Sequence, residues 1–448
     1  MYCKTQKFLI LGVSKSGYSA TNYLLSRGAV CYLVEELKIN SVQSAIEDLV
    51  SRGAIFLELS KADQILNEID VLVISPGVPI NHALAVKAKS LNKKIVGEFE
   101  LGFLLMMPTC VAVTGTNGKT TTVSLINNIL RVAGLNSKLL GNVGVPVTSK
   151  LNEINKDDVC VCEVSSFQLE SISSFCPHIA CLLNVSPDHL ERHYTMENYF
   201  YLKKRIFNNQ TISEYAVLNY DDEMIKSLKD GIKSKILWVS TREKVDGAYL
   251  ENNVLYFRGK AIVNKDELNL VGIHNVSNCL FAIAVCCLLG VDERFIKEGL
   301  VEFKGVANRI ELVKEKNGIK YYNDSKSTNT ASTITAIKTM NTNTILILGG
   351  SEKGETYEEL FREIKNSLVK HVILTGDSRF NMLKKALEFG LKNISLIPDF
   401  NIAIKSAIYL AKENESVLFS PACASFDNFS NYEERGKAFC KVLEEEID

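Results

Sequence analysis

Short apolar segments that end in glycine or in a polar turn, each followed by a stretch long enough for a helix, recur from one end of the chain to the other. The clearest of them span residues 8–12, 71–75, 111–114, 159–164, 345–349, 371–375 and 417–420. Strands that alternate with helices in this way are typical of α/β folds, in which a helix crosses over between parallel strands. The sequence therefore predicts an α/β protein with mostly parallel sheets.

The spacing of these segments also predicts how many domains the chain contains. Its 448 residues suffice for about three domains of ordinary size. The pattern of strands and helices is interrupted near residues 97–99 and again at 304–305. We therefore predict three domains, comprising residues 1–98, 99–304 and 305–448.

Composition and charge exclude several classes of protein. The 51 Lys and Arg residues are balanced by 52 Asp and Glu residues, so the chain lacks the positive field that holds a nucleic acid. Its longest apolar run, 279–289, has about 11 residues, whereas a membrane-spanning helix needs about 20. The N-terminal residues enter an apolar strand directly and show no signal-peptide cleavage pattern. We expect a cytoplasmic protein that binds neither nucleic acid nor a membrane.

The twelve cysteines are predicted to be reduced core residues. Most of them lie inside apolar runs such as 160–162 (CVC) and 286–287 (CC), and none belongs to a Cys-x-x-Cys pair. A chain of this size can bury a core without a disulfide framework. We therefore expect neither disulfides nor a structural zinc site.

The strongest local motif is a glycine-rich turn at residues 114–121 (TGTNGKTT), which directly follows an apolar strand and precedes an apolar helix. The N–H groups of such a turn and the positive end of the helix attract phosphate, while a lysine adds a full charge and a threonine hydroxyl can bind Mg²⁺. Its two glycines are separated by two residues, whereas the common Walker form has four. The residues predicted to bind phosphate are Gly115, Thr116, Asn117, Gly118, Lys119, Thr120 and Thr121.

Two polar clusters follow the next apolar strands of the same region. Glu163 lies at the end of the strand at 159–164, and His189 follows the apolar run at 180–183. Hard divalent cations prefer oxygen ligands with an occasional imidazole. Because the carboxyl ends of parallel strands share one edge of a sheet, these two side chains are predicted to hold a metal ion against the phosphates. Taken alone, a loop histidine is more often an ordinary surface residue.

The first strand of the chain leads into a turn at 12–17 (GVSKSG), and the second ends at Glu35, an order typical of Rossmann domains. Ser14 replaces the glycine that lets a dinucleotide pyrophosphate approach the backbone, so the dinucleotide motif is incomplete. A further turn at 75–77 (SPG) ends a later strand of the same domain. The residues alone leave open both a nucleotide contact and an ordinary turn without a ligand.

Several motifs together resemble those of the Mur ligase family, whose members add amino acids to the peptidoglycan precursor. In the central region they are 114–121, 163–169 (EVSSFQL) and 184–190 (NVSPDHL). The motifs that resemble the D-glutamate-adding branch of the family are 323–329 (NDSKSTN), 348–350 (LGG) with Lys353, and 420–427 (SPACASFD). The resemblance covers all three predicted domains in order.

The resemblance implies a fold and a reaction. It implies a Rossmann-like N-terminal domain for the UDP end of the substrate, a central P-loop ATPase domain with a mostly parallel sheet, and a C-terminal Rossmann-like α/β domain for the amino acid. ATP would phosphorylate the terminal carboxylate of UDP-N-acetylmuramoyl-L-alanine, and the amine of D-glutamate would displace the phosphate. The enzyme would act with Mg²⁺, as a cytoplasmic monomer, in a step needed for the cell wall, cell shape and cell division.

The resemblance also assigns roles to residues of this chain. The residues implied in catalysis are Lys119, His189, Lys203 and Lys326, and those implied in holding Mg²⁺ are Thr120, Glu163, His189 and Lys203. Besides the glycine-rich turn, ATP would contact Asn275, Asn278, Arg309 and Asp324. The UDP substrate would contact Ser14, Lys15, Ser16, Glu35, Ser75, Pro76, Gly77 and Asn142. D-Glutamate would contact Thr328, Lys353, Ser425 and Tyr432.

At three positions the resemblance goes beyond the local pattern or the chain departs from the family. Residues 203–205 (KKR) alone predict a solvated basic turn, and only the resemblance implies that Lys203 becomes carbamylated and binds Mg²⁺. Ala307 and Asn308 precede Arg309 where the family more often has proline followed by histidine or glycine. Tyr432 replaces a phenylalanine of some relatives.

Three alternative functions remain open on the sequence. A folylpolyglutamate-type ligase shares the ATPase loop but not the motifs at 323–329 and 420–427. An NAD-dependent oxidoreductase rests only on the incomplete motif at 12–17. A nucleotide-regulated binding protein without catalysis would leave Glu163, His189 and Lys203 without a role.

Overall fold

The computed structural model describes residues 4–36, 39–105, 108–270, 272–352, 354 and 356–447. Lys353, which was predicted to contact the amino acid, lies outside these residues. The strands of the described chain form three sheets in which most neighbours are parallel. The prediction of an α/β fold with mostly parallel sheets is therefore confirmed.

The first sheet has the strand order β3-β2-β1-β4-β5, and all of its pairs are parallel. Its strands are β1 (Lys7–Leu11), β2 (Val30–Val34), β3 (Ile55–Phe56), β4 (Val71–Ile74) and β5 (Lys94–Gly97). The accompanying helices are α1 (Lys15–Ser26), α2 (Ile39–Ser51), α3 (Leu59–Ile65) and α4 (Ala83–Ser90). The strand order reverses between β1 and β4, and open sheets bind ligands at such a reversal.

The second sheet has the strand order β14-β13-β12-β11-β10-β9-β6-β8-β7, and only the pairs of β13 are antiparallel. Its strands are β6 (Thr109–Thr114), β7 (Ser137–Gly141), β8 (Val159–Glu163), β9 (Ile179–Leu182), β10 (Tyr215–Asn219), β11 (Lys235–Ser240), β12 (Gly247–Glu251), β13 (Val254–Phe257) and β14 (Lys260–Asn264). The helices of this region are α5 (Glu98–Leu105), α6 (Lys119–Val132), α7 (Ser166–Glu170), α8 (Leu190–His193), α9 (Met196–Lys204), α10 (Glu223–Lys226), α11 (Ile273–Leu288) and α12 (Glu293–Glu302). Short 3₁₀ helices lie at Val147–Ser149, Arg205–Phe207, Lys229–Gly231 and Lys265–Glu267.

The third sheet has the strand order β15-β16-β20-β17-β18-β19, and its edge strand β15 is antiparallel to β16. Its strands are β15 (Glu311–Lys316), β16 (Ile319–Asn323), β17 (Thr344–Gly349), β18 (Val369–Thr375), β19 (Ile394–Leu396) and β20 (Ser416–Phe419). The helices are α13 (Thr330–Thr339), α14 (Glu358–Lys365), α15 (Arg379–Glu388), α16 (Phe400–Leu410) and α17 (Tyr432–Ile447). Helices cover both faces, so the central strands β17 and β20 are entirely buried.

The chain divides into two units, each with its own core. The first unit comprises 1–268 and 273–303 and holds the first two sheets, and the second comprises 269–272 and 304–448 and holds the third. Within the first unit α5 belongs to two cores, because Leu101 packs with the first sheet while the Phe99 ring lies 4.8 Å from that of Phe175. The predicted division at residues 98 and 99 therefore falls at the start of a shared helix, and the three predicted ranges stay predictions.

The cysteines of the described chain are free thiols, and most of them are buried. Burial raises the pKa of the Cys160 and Cys279 thiols to about 12. The prediction that most of the cysteines lie in the core is confirmed for the described residues, and their reduced state stays a prediction. Among the described helices, none is long and apolar enough to cross a membrane.

Candidate active site

The glycine-rich turn joins β6 to α6. Gly118 is the N-cap of α6 and has a φ of 83°, a left-handed conformation that favours glycine. A Cβ atom at Gly118 would also overlap Oδ1 of Asn278, so both backbone conformation and packing require glycine here. The first N–H groups of an α-helix lack intrahelical partners, so the start of α6 offers donors to phosphate oxygens.

Lys119 is the first residue of α6, and its side chain folds back over the glycine-rich turn. Its Nζ donates to the carbonyl oxygens of Gly115 at 2.8 Å and of Thr116 at 2.7 Å. The ammonium group is half-buried. The structure thus brings this positive charge to the same place as the N–H groups of the helix start.

Thr120, Asn142 and Glu163 form a hydrogen-bonded group beside the turn. Thr120 Oγ1 donates to Glu163 Oε2 at 2.8 Å, and Asn142 Nδ2 donates to Glu163 Oε1 at 2.6 Å. Glu163 ends β8 and is 2% exposed. The strands β6, β7 and β8 are neighbours, which is why their carboxyl ends meet here.

The donor atoms of this group fit Mg²⁺, because that ion prefers carboxylate and hydroxyl oxygens. Among the described residues there is no cluster of three or more His, Cys, Asp or Glu side chains that could hold a metal ion. Thr120 and Glu163 could supply two oxygens to such an ion.

Lys203 lies at the end of α9 and is 1% exposed, so the solvated basic turn predicted for residues 203–205 is wrong. Its Nζ donates to the Gly115 carbonyl oxygen at 2.7 Å. Arg205 is also held by the protein, since it donates to the carbonyl oxygens of Glu170 and Ile172. Sequence could not show this burial because it depends on packing against distant segments.

The electrostatic environment of Lys203 favours an uncharged amine. Burial, assisted by the charge of Lys119, holds the pKa of the Lys203 amine well below its usual range, although Asp188 and Glu163 act in the opposite direction. An uncharged amine has a free electron pair with which it can attack an electrophile. Lys203 therefore combines contact with the phosphate turn and surroundings that favour the uncharged amine.

Tyr199 supports Lys203 and was missed by the sequence analysis. It lies one turn earlier on α9, is 1% exposed, and its ring centroid is 4.5 Å from Lys203 Nζ. Its hydroxyl lies 3.3 Å from Thr116 Oγ1, and its ring stacks on that of His193 at 5.3 Å. The only sequence signal was an aromatic residue four positions before a lysine, a spacing that puts two side chains on the same helix face.

His189 lies in the same region but contacts other residues. Its side chain is 44% exposed, its nitrogens lie 3.5 Å from carboxylates of Asp188 and Glu191, and its ring is 4.9 Å from that of Phe167. Within the described chain its imidazole forms no hydrogen bond with Glu163 or Lys203. The metal-binding role of His189 therefore stays a prediction.

Arg192 joins this region to the predicted UDP-substrate turn and was also missed. Its Nη2 donates to Glu170 Oε2 at 2.6 Å and to the Val78 carbonyl oxygen at 3.0 Å. Weaker contacts at 3.5 Å and 3.4 Å reach the carbonyl oxygens of Pro76 and Gly77. Arg192 lies on α8, so a helix that accompanies the second sheet contacts the turn at 75–77 within the same unit.

Apart from Asn142, which follows β7 and contacts Glu163, the predicted UDP-substrate residues gather at the carboxyl ends of β1, β2 and β4. Ser75 Oγ donates to the Gly12 carbonyl oxygen at 2.7 Å, and the Val13 N–H donates to Glu35 Oε2 at 2.8 Å. Ser14 is the N-cap of α1, and Lys15 and Ser16 follow in its first turn. Lys15 Nζ donates to the Gly144 carbonyl oxygen at 2.9 Å.

Asn275 and Asn278, predicted to approach the adenine of ATP, lie on α11 beside the phosphate helix. Asn278 Nδ2 donates to Asn275 Oδ1 at 3.1 Å, and Thr122 Oγ1 donates to Asn278 Oδ1 at 3.3 Å. Since Asn278 also packs against Gly118, the two asparagines are fixed relative to the turn.

In the second unit, the predicted site residues lie on the loops after β16 and β20 and at the start of α17. Lys326 Nζ donates to Tyr432 Oη at 3.0 Å. Ser425 is 2% exposed, and Thr328 lies on the same loop as Lys326. The structure thus brings Lys326 and Tyr432 into direct contact, whereas Asp324 begins the loop after β16 and Arg309 lies before β15.

Asp324 is fully buried within the second unit. Ser420 Oγ donates to Asp324 Oδ2 at 2.6 Å, and the Ile310 N–H donates to Oδ1 at 3.2 Å. Burial raises the pKa of Asp324 to about 6, although hydroxyl donors and the nearby Arg309 lower it. Asn308, the unusual residue before Arg309, has a φ of 64° and accepts a hydrogen bond from Asn323 Nδ2 at 2.9 Å. Asparagine tolerates this conformation well, so the departure fits the local backbone.

Comparison with known sequences gives matches along the whole chain. The Mur ligase MurD-like N-terminal domain matches residues 6–97, the Mur ligase middle domain matches 113–286, and the Mur ligase glutamate ligase domain matches 308–423. A UDP-N-acetylmuramoylalanine–D-glutamate ligase of Clostridioides difficile is 40% identical over 98% of this chain and 98% of its own. A protein of the same name from Caldanaerobacter subterraneus is 38% identical over 99% of both chains.

Solved structures show the same fold at much lower identity. The UDP-N-acetylmuramate-alanine ligase MurC of Thermotoga maritima is 19% identical, with a TM-score of 0.63 over 98% of this chain and 99% of its own. A structure of MurF from Acinetobacter baumannii is 17% identical, with a TM-score of 0.65 over 97% of this chain and 93% of its own. At this level of identity the likeness concerns the fold alone.

Proposed function

Because the chain belongs to the Mur ligase family, we propose that it joins D-glutamate to UDP-N-acetylmuramoyl-L-alanine at the expense of ATP. The observation that carries this proposal is the similarity to D-glutamate ligases over the whole length of the chain. In this proposal the enzyme is a cytoplasmic monomer that makes a peptidoglycan precursor, and cell shape and division depend on its product.

The first task of such an enzyme is to bring two anions together. A carboxylate oxygen of the UDP substrate attacks the γ-phosphorus of ATP, ADP leaves, and an acyl phosphate results. Little covalent help is needed from the protein, so alignment and neutralisation of charge dominate the rate. The N–H groups at the start of α6 and the Lys119 ammonium supply donors and charge for the phosphates.

Mg²⁺ bound here would supply further positive charge against the phosphates. Thr120 and Glu163 would hold it through their oxygens, which already lie 2.8 Å apart. We propose that Lys203 completes this set as a carbamate: its amine nitrogen attacks the carbon of CO₂ and loses a proton, which leaves two new oxygen ligands. The depressed pKa of the Lys203 amine supports this reaction.

The second step joins the amino acid. The amine of D-glutamate attacks the acyl carbon, the nitrogen loses a proton, the phosphate leaves, and an amide forms. Both carboxylates of the amino acid keep their charge and need donors in a partly shielded site. Thr328, Ser425 and Tyr432 would supply hydroxyls and Lys326 a positive charge, together with Lys353 from the sequence prediction.

The proposal is tested by phosphate release from ATP with the purified full-length protein. Release should require both UDP-N-acetylmuramoyl-L-alanine and an amino acid, and D-glutamate should exceed L-glutamate, L-alanine, L-lysine and diaminopimelate in competition. Lysine and diaminopimelate carry a second ammonium group, which the lysines of this site would repel. A product formed preferentially with another amino acid would refute the assignment.

A further inference from the structure

Arg435 of the second unit is a buried cation whose hydrogen bonds reach two separate loops. It lies on α17 and is 2% exposed. Its Nε and Nη2 donate to Ser325, to Oγ at 3.1 Å and to the carbonyl oxygen at 2.8 Å. Its Nη1 donates to the Ala424 carbonyl oxygen at 2.9 Å, and Nη2 to that of Cys423 at 3.0 Å. All four acceptors are carbonyl or hydroxyl oxygens, so the side chain is not held as an ordinary ion pair.

A third loop packs against the same guanidinium. A Cβ atom at Gly350 would lie 2.9 Å from Arg435 Nη1 and would overlap the Ala424 carbonyl oxygen. The Ser351 N–H donates to this same carbonyl oxygen at 2.9 Å. The turn after β17 is therefore fixed to Arg435 both by close packing and through their shared partner Ala424.

Two of these loops, together with the start of α17, carry the hydroxyl residues expected to contact D-glutamate. Ser325 lies three positions before Thr328, and Ala424 directly precedes Ser425. Tyr432 begins α17 one turn before Arg435, and its carbonyl oxygen accepts a hydrogen bond from Ser325 Oγ at 2.9 Å. Arg435 thus donates hydrogen bonds to the loop of Thr328 and to the loop of Ser425, and it lies one helix turn from Tyr432, which carries the third hydroxyl group.

We propose that Arg435 is a positioning residue for the amino-acid substrate, which fixes the loops of Thr328 and Ser425 and the start of α17 relative to one another. This inference rests on the proposed function, since it is that function which makes these loops an amino-acid site. Arg435 does not act on the substrate directly, because its buried guanidinium group already donates hydrogen bonds to protein oxygens.

Arginine suits this task better than lysine. A guanidinium presents five N–H donors in a fixed plane, whereas an ammonium presents three donors from one atom. Only the guanidinium group has enough donors to form four hydrogen bonds to three different residues. Burial lowers the pKa of Arg435 to about 10, so it is still protonated at neutral pH and its charge persists.

The test compares Arg435→Lys and Ser325→Ala with Val442→Ala in the full-length enzyme. Val442 lies on the same helix, is 4% exposed and belongs to the apolar core of the second unit, so its truncation lowers stability while the four hydrogen bonds of Arg435 keep all their partners. For each variant we would measure kcat, the KM values for amino acid and ATP, and the thermal unfolding midpoint. We expect Arg435→Lys to raise the KM for D-glutamate by about tenfold or more and the KM for ATP by less than about threefold.

Ser325→Ala removes one hydrogen-bond acceptor of Arg435 and should raise the KM for D-glutamate by a smaller factor. Val442→Ala should leave the KM for D-glutamate unchanged, even if it lowers the unfolding midpoint as much as Arg435→Lys does. The proposal is overturned if Val442→Ala raises this KM as much as the other two, or if Ser325→Ala and any folded Arg435→Lys protein keep the wild-type value. The wild-type amino-acid preference is measured first. If it is not D-glutamate, the proposed function fails, and the KM for the preferred amino acid then decides the role of Arg435.

Discussion

At the scale of single residues, Lys203 makes the sharpest prediction. Its amine is buried against the Gly115 carbonyl oxygen and the Tyr199 ring. If it carries a carbamate that completes a metal site with Glu163, Lys203→Ala should lower turnover by roughly two orders of magnitude. Acetate should restore part of the activity, because a small carboxylate can occupy the space and supply the missing oxygens. Phosphate release with and without acetate measures both effects.

The neighbouring Lys204 provides the control for this prediction. Its Nζ lies 5.7 Å from the Tyr201 ring centroid, on the more exposed side of the same helix. Lys204→Ala should keep nearly full activity and should not respond to acetate. If Lys203→Ala is active without acetate, or if Lys204→Ala is the variant that fails, then the carbamate is assigned to the wrong residue.

At the scale of elements, α6 has a glycine with positive φ at each end, which gives a matched pair of variants. Gly118 has a φ of 83° and abuts Asn278, whereas Gly134 has a φ of 74° and nothing within 4 Å of an added Cβ. Both alanine variants suffer backbone strain of about 1 kcal/mol. Only Gly118→Ala should also raise the KM for ATP, by about tenfold or more, because its clash displaces the phosphate turn. Equal KM values in the two variants would show that this packing is unimportant for ATP binding.

The elements were largely predictable from sequence, but their surroundings were not. Strands such as β6 and β8 are buried on both faces, so their sequences are continuous apolar runs that can be recognised. The phosphate turn can be recognised because all of its residues are consecutive in the chain. The burial of Lys203 depends on Gly115, which lies 88 positions away. A local pattern contains no information about such a partner, so a buried lysine and a solvated one look alike in sequence.

At the scale of the whole molecule, the sequence pattern predicted three α/β domains but not that α5 would pack with the cores of two sheets. Glu98 at its start is 1% exposed and accepts hydrogen bonds from the Thr148 N–H and hydroxyl, both at 2.7 Å. Burial raises the pKa of the Glu98 carboxyl. Ser19 of α1 lies 2.8 Å from the same Thr148 hydroxyl. A helix that accompanies the first sheet and a short helix that accompanies the second sheet therefore meet at one buried group. Such contacts between distant segments cannot be deduced from spacing.

An isolated fragment of the second unit should therefore unfold more cooperatively than an isolated fragment that contains only the first sheet. The cores around β17 and β20 consist entirely of residues from the second unit, so a fragment of residues 304–448 should unfold cooperatively. A fragment of residues 1–98 lacks Leu101, which is 3% exposed and packs with the core of the first sheet, and should lose about 1.5–3 kcal/mol for that side chain alone. Circular dichroism during heating should show a sharp transition for 304–448, a broad one for 1–98, and a sharper one for 1–105, which restores α5. A sharp transition for 1–98 that is unchanged in 1–105 would mean that the first sheet does not depend on this helix.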